Sequence, residues 1–146
     1  MKSPALFLYA MIAVSAAAWL AHVLVCRARE KSLRQLAAQW QMSYVRGDLF
    51  NLARRLRGHF PVEGIHDLRV VDLIYGSEGE RHRCIFTAEY TCVGQPQPRR
   101  RARVACVWEA REAESGGRIT PQLAPADLGL LEQYRHFAPS GASKSA

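Results

Sequence analysis

The chain has 146 residues, 49% of them hydrophobic, which leaves room for one small domain and a few dozen residues of anchor or tail. Its formal charge of +7 is concentrated: residues 27–60 carry Arg27, Arg29, Lys31, Arg34, Arg46, Arg54, Arg55 and Arg57 against only Glu30 and Asp48, whereas residues 61–114 are nearly balanced. A basic excess beside an apolar N-terminus, rather than across a folded face, argues against a nucleic-acid partner.

From Ala5 to Cys26 the sequence reads ALFLYAMIAVSAAAWLAHVLVC, without Asp, Glu, Lys or Arg. As a helix this run is about 33 Å long, enough to cross a hydrocarbon core of about 30 Å. Tyr9 and Trp19 are amphipathic aromatics, and His22 lies little more than a turn from Arg27. A cleavable signal peptide is the rival reading, with Lys2 as its basic region and the alanines at 16–18 as its cleavage site. Cleavage there leaves the apolar WLAHVLVC at the new N-terminus, so residues 1–26 read better as an uncleaved transmembrane anchor.

Arg27, Arg29, Lys31 and Arg34 flank the C-terminal end of this anchor, with Arg46 further on, against Lys2 alone at the other end. The positive-inside bias then puts the N-terminus outside and the domain in the cytoplasm, as a single-pass protein of the cell (inner) membrane. The same four basic residues would meet anionic lipid headgroups, at roughly 1 kcal/mol per charge near the surface. Ala13, Ala17 and Ala21 form a small-xxx-small stripe that would let two helices approach as a homodimer.

Residues 27–46 read as a basic amphipathic stalk helix, with Leu33, Leu36, Ala37 and Trp40 at i, i+3, i+4 and i+7. Ala5 to Arg46 holds no Gly or Pro, so anchor and stalk can run as one helix, with MSYV (42–45) as a short strand or extended link. Gly47-Asp48 breaks the chain, and Asp48 is placed to cap a short helix whose Leu49, Leu52, Ala53 and Leu56 share a face. Arg54, Arg55 and Arg57 point away from that face.

Three strands are expected next: LRVVDLIY (68–75), HRCIFTAEYTCV (82–93) and ARVACVWEA (102–110). In the second, Cys84, Phe86, Ala88, Tyr90 and Cys92 face one way, and Arg83, Thr87, Glu89 and Thr91 the other, broken only by Ile85. GQPQPRRR (94–101) reads as an exposed loop, because its prolines exclude regular structure. A short helix is expected from Ala126, containing Leu128, Leu131 and Tyr134. Residues 47–137 thus form an α+β domain of three or four antiparallel strands, covered on the apolar face by short helices. Residues 138–146 form a disordered tail.

The chemically suggestive residues favour packing. Cys84, Cys92 and Cys106 share the apolar parity of Phe86, Tyr90 and Trp108, and a free cysteine packs as a small hydrophobe. Cys84 and Cys92 lie about 26 Å apart on one strand, too far to bridge. A metal site using His82 and two cysteines, and redox use, stay open as lesser readings. No hydrolase, zinc-protease or nucleotide-binding motif occurs, so no catalytic residue, cofactor or resident metal is expected. Arg54, Arg55 and Arg57, with Arg99, Arg100 and Arg101, are the candidate interaction surface.

SLRQLAAQWQMSYV (32–45), VVDLIYGSEGERHRCIFTAEY (70–90), RRARVACVWEA (100–110) and TPQLAPADLG (120–129) resemble, in order and pattern, a group of uncharacterised bacterial proteins. Those proteins have an N-terminal membrane anchor and a small α+β domain of unknown function. Where that group reads F-D-Y-x-Y, this chain has Phe86-Thr87-Ala88-Glu89-Tyr90. The resemblance implies the architecture and no catalytic residue. The reading is a membrane-anchored cytoplasmic binding or accessory module, serving a membrane complex or its own homo-oligomer. The alternatives are a tethered ligand-binding or enzymatic domain, in a pocket holding His82, Tyr90 or Asp72, and a sensor of anionic lipid surfaces.

Overall fold

The computed structural model describes residues 4–79, 81–92, 101–111 and 120–139. They fall into two compact units, residues 1–33 and 34–146.

The first unit belongs to helix α1 (Pro4–Gln39), which is long and apolar enough to cross a membrane. Its large apolar side chains, among them Leu6, Ile12, Trp19 and Val25, stand exposed all round. A helix apolar on every side and unburied by its own chain is matched to a hydrocarbon environment. Its backbone groups are satisfied internally, as lipid demands, and the Ser15 hydroxyl donates back to the Met11 carbonyl at 2.8 Å. Further along, the Cys26 sulfur lies 3.6 Å from His22 Nε2, one turn away.

In the second unit, α1 ends at Gln39 and strand β1 (Ser43–Arg46) follows. The stalk is helical only to Gln39, short of the expected bound at 46, and residues 43–46 take the strand alternative expected for MSYV, since Tyr44 and Val45 suit a pleated strand. Met42 N–H donates to the Ala37 carbonyl at 2.9 Å around a left-handed Gln41 (φ 56°), which closes the last turn. Compact structure thus begins at Arg34, earlier than the expected boundary at 47. Leu36, Ala37 and Trp40 are buried.

Gly47 (φ 98°) makes the next turn and donates its N–H to the Val71 carbonyl at 2.7 Å. Asp48 then accepts from the N–H of Leu52 at 2.6 Å and of Ala53 at 2.9 Å. Those groups open the short helix α2 (Leu52–Leu56) and would otherwise be orphaned. Leu52 and Leu56 are fully buried, but Leu49 is 53% exposed. It does not share their face as expected, because residues 49–51 form a turn with Asn51 left-handed at φ 54°.

Strands β2 (Ile65–Glu78), β3 (Arg81–Cys92), β4 (Ala102–Arg111) and β5 (Gln122–Leu123) complete an antiparallel meander of order β1-β2-β3-β4-β5. The sheet holds five strands where three or four were expected: β1 arises from MSYV, and the two-residue β5 from the segment after Pro121. Two register irregularities along β2, at 66–69 and 70–73, let Leu68 and Val70 share a face with Leu73 and Tyr75.

One face carries Leu68, Val70, Leu73, Cys84, Phe86, Ala88, Val104 and Cys106 against Leu52 and Leu56. The opposite face is buried too, which corrects the expectation of a single covered face: Ile74, Ile85, Thr87, Ala105 and Val107 lie at or near zero exposure. Helix α3 (Leu130–His136) packs on β4. It starts later than the expected Ala126, after Gly129. Of the expected tail, Ala138 and Pro139 are described and Pro139 is buried. Residues 140–146, and the GQPQPRRR loop apart from Arg101, lie outside the described residues.

Gln133 fastens α3 to the sheet. Its side-chain carbonyl accepts from Ala105 N–H at 2.9 Å, while its amide donates to the Pro125 and Leu128 carbonyls at 3.2 and 2.9 Å. Ala105 in turn accepts from Ala124 N–H at 2.9 Å. Gln133→Leu keeps the volume and removes all three bonds, leaving a buried N–H without its acceptor. The expected loss is about 2–3 kcal/mol, read as a lower urea midpoint for the detergent-solubilised chain.

Candidate functional site

Strand pairing lines up Ser43, Tyr75, Cys84 and Trp108 in one row across β1–β4. A second row on the same face runs Ser77, His82 and Ala110. Together they floor an open groove of about 640 Å³, walled by Phe50 and Arg55 and edged by Gln41, Gly76 and Arg83. Four strands at about 4.8 Å spacing make this floor roughly 14 Å wide.

Each wall has a local cause. The turn at 49–51, which leaves Leu49 exposed, swings Phe50 (39% exposed) over the sheet, where its ring meets Tyr75 edge-on at 5.2 Å. Arg55 is exposed on α2 beside buried Leu56 and reaches toward the sheet, its guanidinium 5.0 Å from the centre of the Trp108 ring. Gly76 is required by close approach: a Cβ there would stand 2.7 Å from Met42 Cγ.

Arg83 at the rim is held from beyond the groove, 3.2 Å from Glu78 and 3.3 Å from Glu109. With Arg81 these residues line a separate polar notch of about 350 Å³. Among the described residues, no carboxylate lines the groove itself. Among the described residues, Arg55 forms no ion pair with an acid.

The candidate arginines thus separate. Arg55 enters the groove; Arg54 and Arg57 are exposed outside its lining. Arg101 pairs with Asp67 at 3.3 Å, and Asp67 also binds Arg69 at 3.0 Å. Arg99 and Arg100 lie outside the described residues. Arg27, Arg29 and Lys31 follow the apolar run on α1, while the Arg34 guanidinium lies over the Tyr44 ring at 5.8 Å. Of the residues posed for a pocket, His82 lines the groove and the other two do not. Asp72 is buried and accepts from the Tyr44 hydroxyl at 2.7 Å. Tyr90 packs against Phe60 with ring centres 5.5 Å apart.

Sequence reasoning missed Phe50, Tyr75 and Trp108 as lining residues. Their parity was readable for Tyr75 and Trp108, but the register that aligns them was not.

Cys84 lies in the groove floor yet is buried, and burial pushes its thiol up to about 11, with Arg55 pulling the other way. Burial likewise pushes Cys106 up to about 12, against a hydrogen bond at Ala88. Tyr90 is raised by burial first and by Cys92 and Cys106 second. At neutral pH Cys84 and Cys106 are therefore protonated and poor nucleophiles. Among the described residues, no three of His, Cys, Asp and Glu gather as metal ligands.

The arrangement brings three aromatic rings together with Arg55 and Arg83 around one groove. Compared with protein-family models, with curated proteins and with solved structures, the chain finds no match in any of the three.

Proposed function

We propose that the chain is a membrane-anchored binding module of the inner membrane, its N-terminus outside and its α+β domain held at the cytoplasmic surface. The observation that carries the binding role is the groove of Phe50, Tyr75 and Trp108 beside Arg55. Aromatic side chains left half-exposed and convergent are the usual mark of a recognition surface. Leu49, exposed next to Phe50, extends the apolar area, and Arg54 and Arg57 supply a basic margin. Ala13, Ala17 and Ala21 offer a route to a homodimer within the bilayer. The basic flank Arg27, Arg29, Lys31 and Arg34 sets the orientation and meets acidic headgroups.

The test joins topology to retention. A reporter active only in the cytoplasm is fused to the C-terminus, and membranes are then fractionated. Reporter activity in the membrane fraction is the expected result. An inactive reporter in that fraction would reverse the orientation, and an active one in the soluble fraction would remove the anchor.

A further inference from the structure

Resting on the binding-module reading, we propose that the groove takes a small aromatic acid: a flat apolar body bearing one negative charge. The size fits, since about 640 Å³ lies within the usual range for small-molecule sites, roughly 300–1,000 Å³. The floor and wall offer three aromatic rings at different angles. Phe50 and Tyr75 stand at 89° to one another, and Trp108 lies beneath Arg55. A planar body lying over Cys84, between the Phe50–Tyr75 pair and Trp108, would meet both aromatic sides of the groove.

The charge argument fixes the head group. Arg55 and Arg83 are the arginines of the lining, and no acid lines the groove among the described residues. Arg83 is already compensated by Glu78 and Glu109. Arg55 therefore contributes about one unbalanced positive charge, which matches a monoanion better than a dianion. With its guanidinium carbon 5.0 Å from the centre of the Trp108 ring, Arg55 has planar N–H donors to offer a carboxylate.

The probe is naphthalene-2-carboxylate, titrated calorimetrically into the full chain in phosphatidylcholine nanodiscs, with empty nanodiscs as blank and the neutral naphthalene-2-carboxamide as comparison. Saturable binding at one site is expected, with the amide weaker by about tenfold or more, the value of one charge-assisted pairing. Arg55→Met should weaken the carboxylate to the level of the amide and leave the amide unchanged. Phe50→Ala should weaken both ligands, and Arg135→Met, on the exposed side of α3, neither. Equal binding of acid and amide, full carboxylate affinity in Arg55→Met, or no saturable binding would each overturn the proposal. Retention of the single probe site in nanodiscs containing phosphatidylglycerol is expected; its loss to that lipid would also overturn the proposal, because a phospholipid brings no flat aromatic body. A reporter found outside would overturn the cytoplasmic placement and leave this titration standing; a flat titration would do the reverse.

Discussion

Tyr134→Ala is expected to destabilise the domain by about 4 kcal/mol, within the range for removing a buried aromatic side chain from a packed interior. Tyr134 is fully buried, and its hydroxyl lies 2.8 Å from Thr87 Oγ1 while donating to the Asp72 carbonyl at 3.2 Å. Thr87 is itself fully buried in the middle of β3, so its hydroxyl has no water to fall back on. The conservative Tyr134→Phe separates the two contributions: it keeps the ring and removes only the hydroxyl. Its expected cost is about 1–2 kcal/mol, the price of a buried hydrogen bond left half-made. Urea unfolding of the detergent-solubilised chain, followed by circular dichroism, reads both values. Equal losses in the two variants would show that the polar junction, not the ring, holds α3 in place. A loss below about 1 kcal/mol in Tyr134→Ala would show that α3 is dispensable to the sheet.

That junction marks where sequence reading stopped. Alternation in HRCIFTAEYTC placed Cys84, Phe86 and Ala88 on one face, and the structure keeps them together in one core. The same alternation made Thr87 and Glu89 solvent-facing, yet both are buried. Ile85 was the visible break in the pattern, and apolar neighbours on adjacent parities recur in Leu73-Ile74 and Cys106-Val107. Together they signal a strand covered on both sides. What could not be read was the partner. A threonine is buried only where something answers its hydroxyl, and Tyr134 lies 47 residues away.

The groove was hidden for a related reason. Periodicity gives the face of a residue, whereas the row Ser43, Tyr75, Cys84, Trp108 depends on the register between four strands. Register here follows from the irregularities in β2 and from turn geometry, neither of which has a sequence period. Asp48 was legible because a cap is local: residue type and spacing suffice. The arginines of α2 were legible as a cluster, but only Arg55 has an aromatic partner across the fold.

Stability should fall steeply above pH 9 because of the two buried thiols. Unfolded cysteines ionise near their ordinary value of 9.0, whereas burial holds Cys84 protonated to about 11 and Cys106 to about 12. Between those limits the folded state binds more protons than the unfolded state, so the free energy of unfolding decreases as pH rises. The stabilisation is fully present below pH 9, shrinks by on the order of 1 kcal/mol per thiol for each further pH unit, and is exhausted once the folded thiols ionise. From pH 8 to pH 11 the combined loss is therefore roughly 3–5 kcal/mol. Cys84→Ala with Cys106→Ala removes both groups, so its urea midpoint should vary less over this range under reducing conditions. The comparison is of slopes rather than absolute stabilities, since truncating two core residues lowers the curve everywhere. Burial, then Cys92 and Cys106, hold the Tyr90 hydroxyl above its ordinary value as well, so Tyr90→Phe in both backgrounds isolates the thiols. Parallel pH profiles with and without the cysteines would mean that water reaches the sheet face they occupy, and that this core is looser than its packing implies.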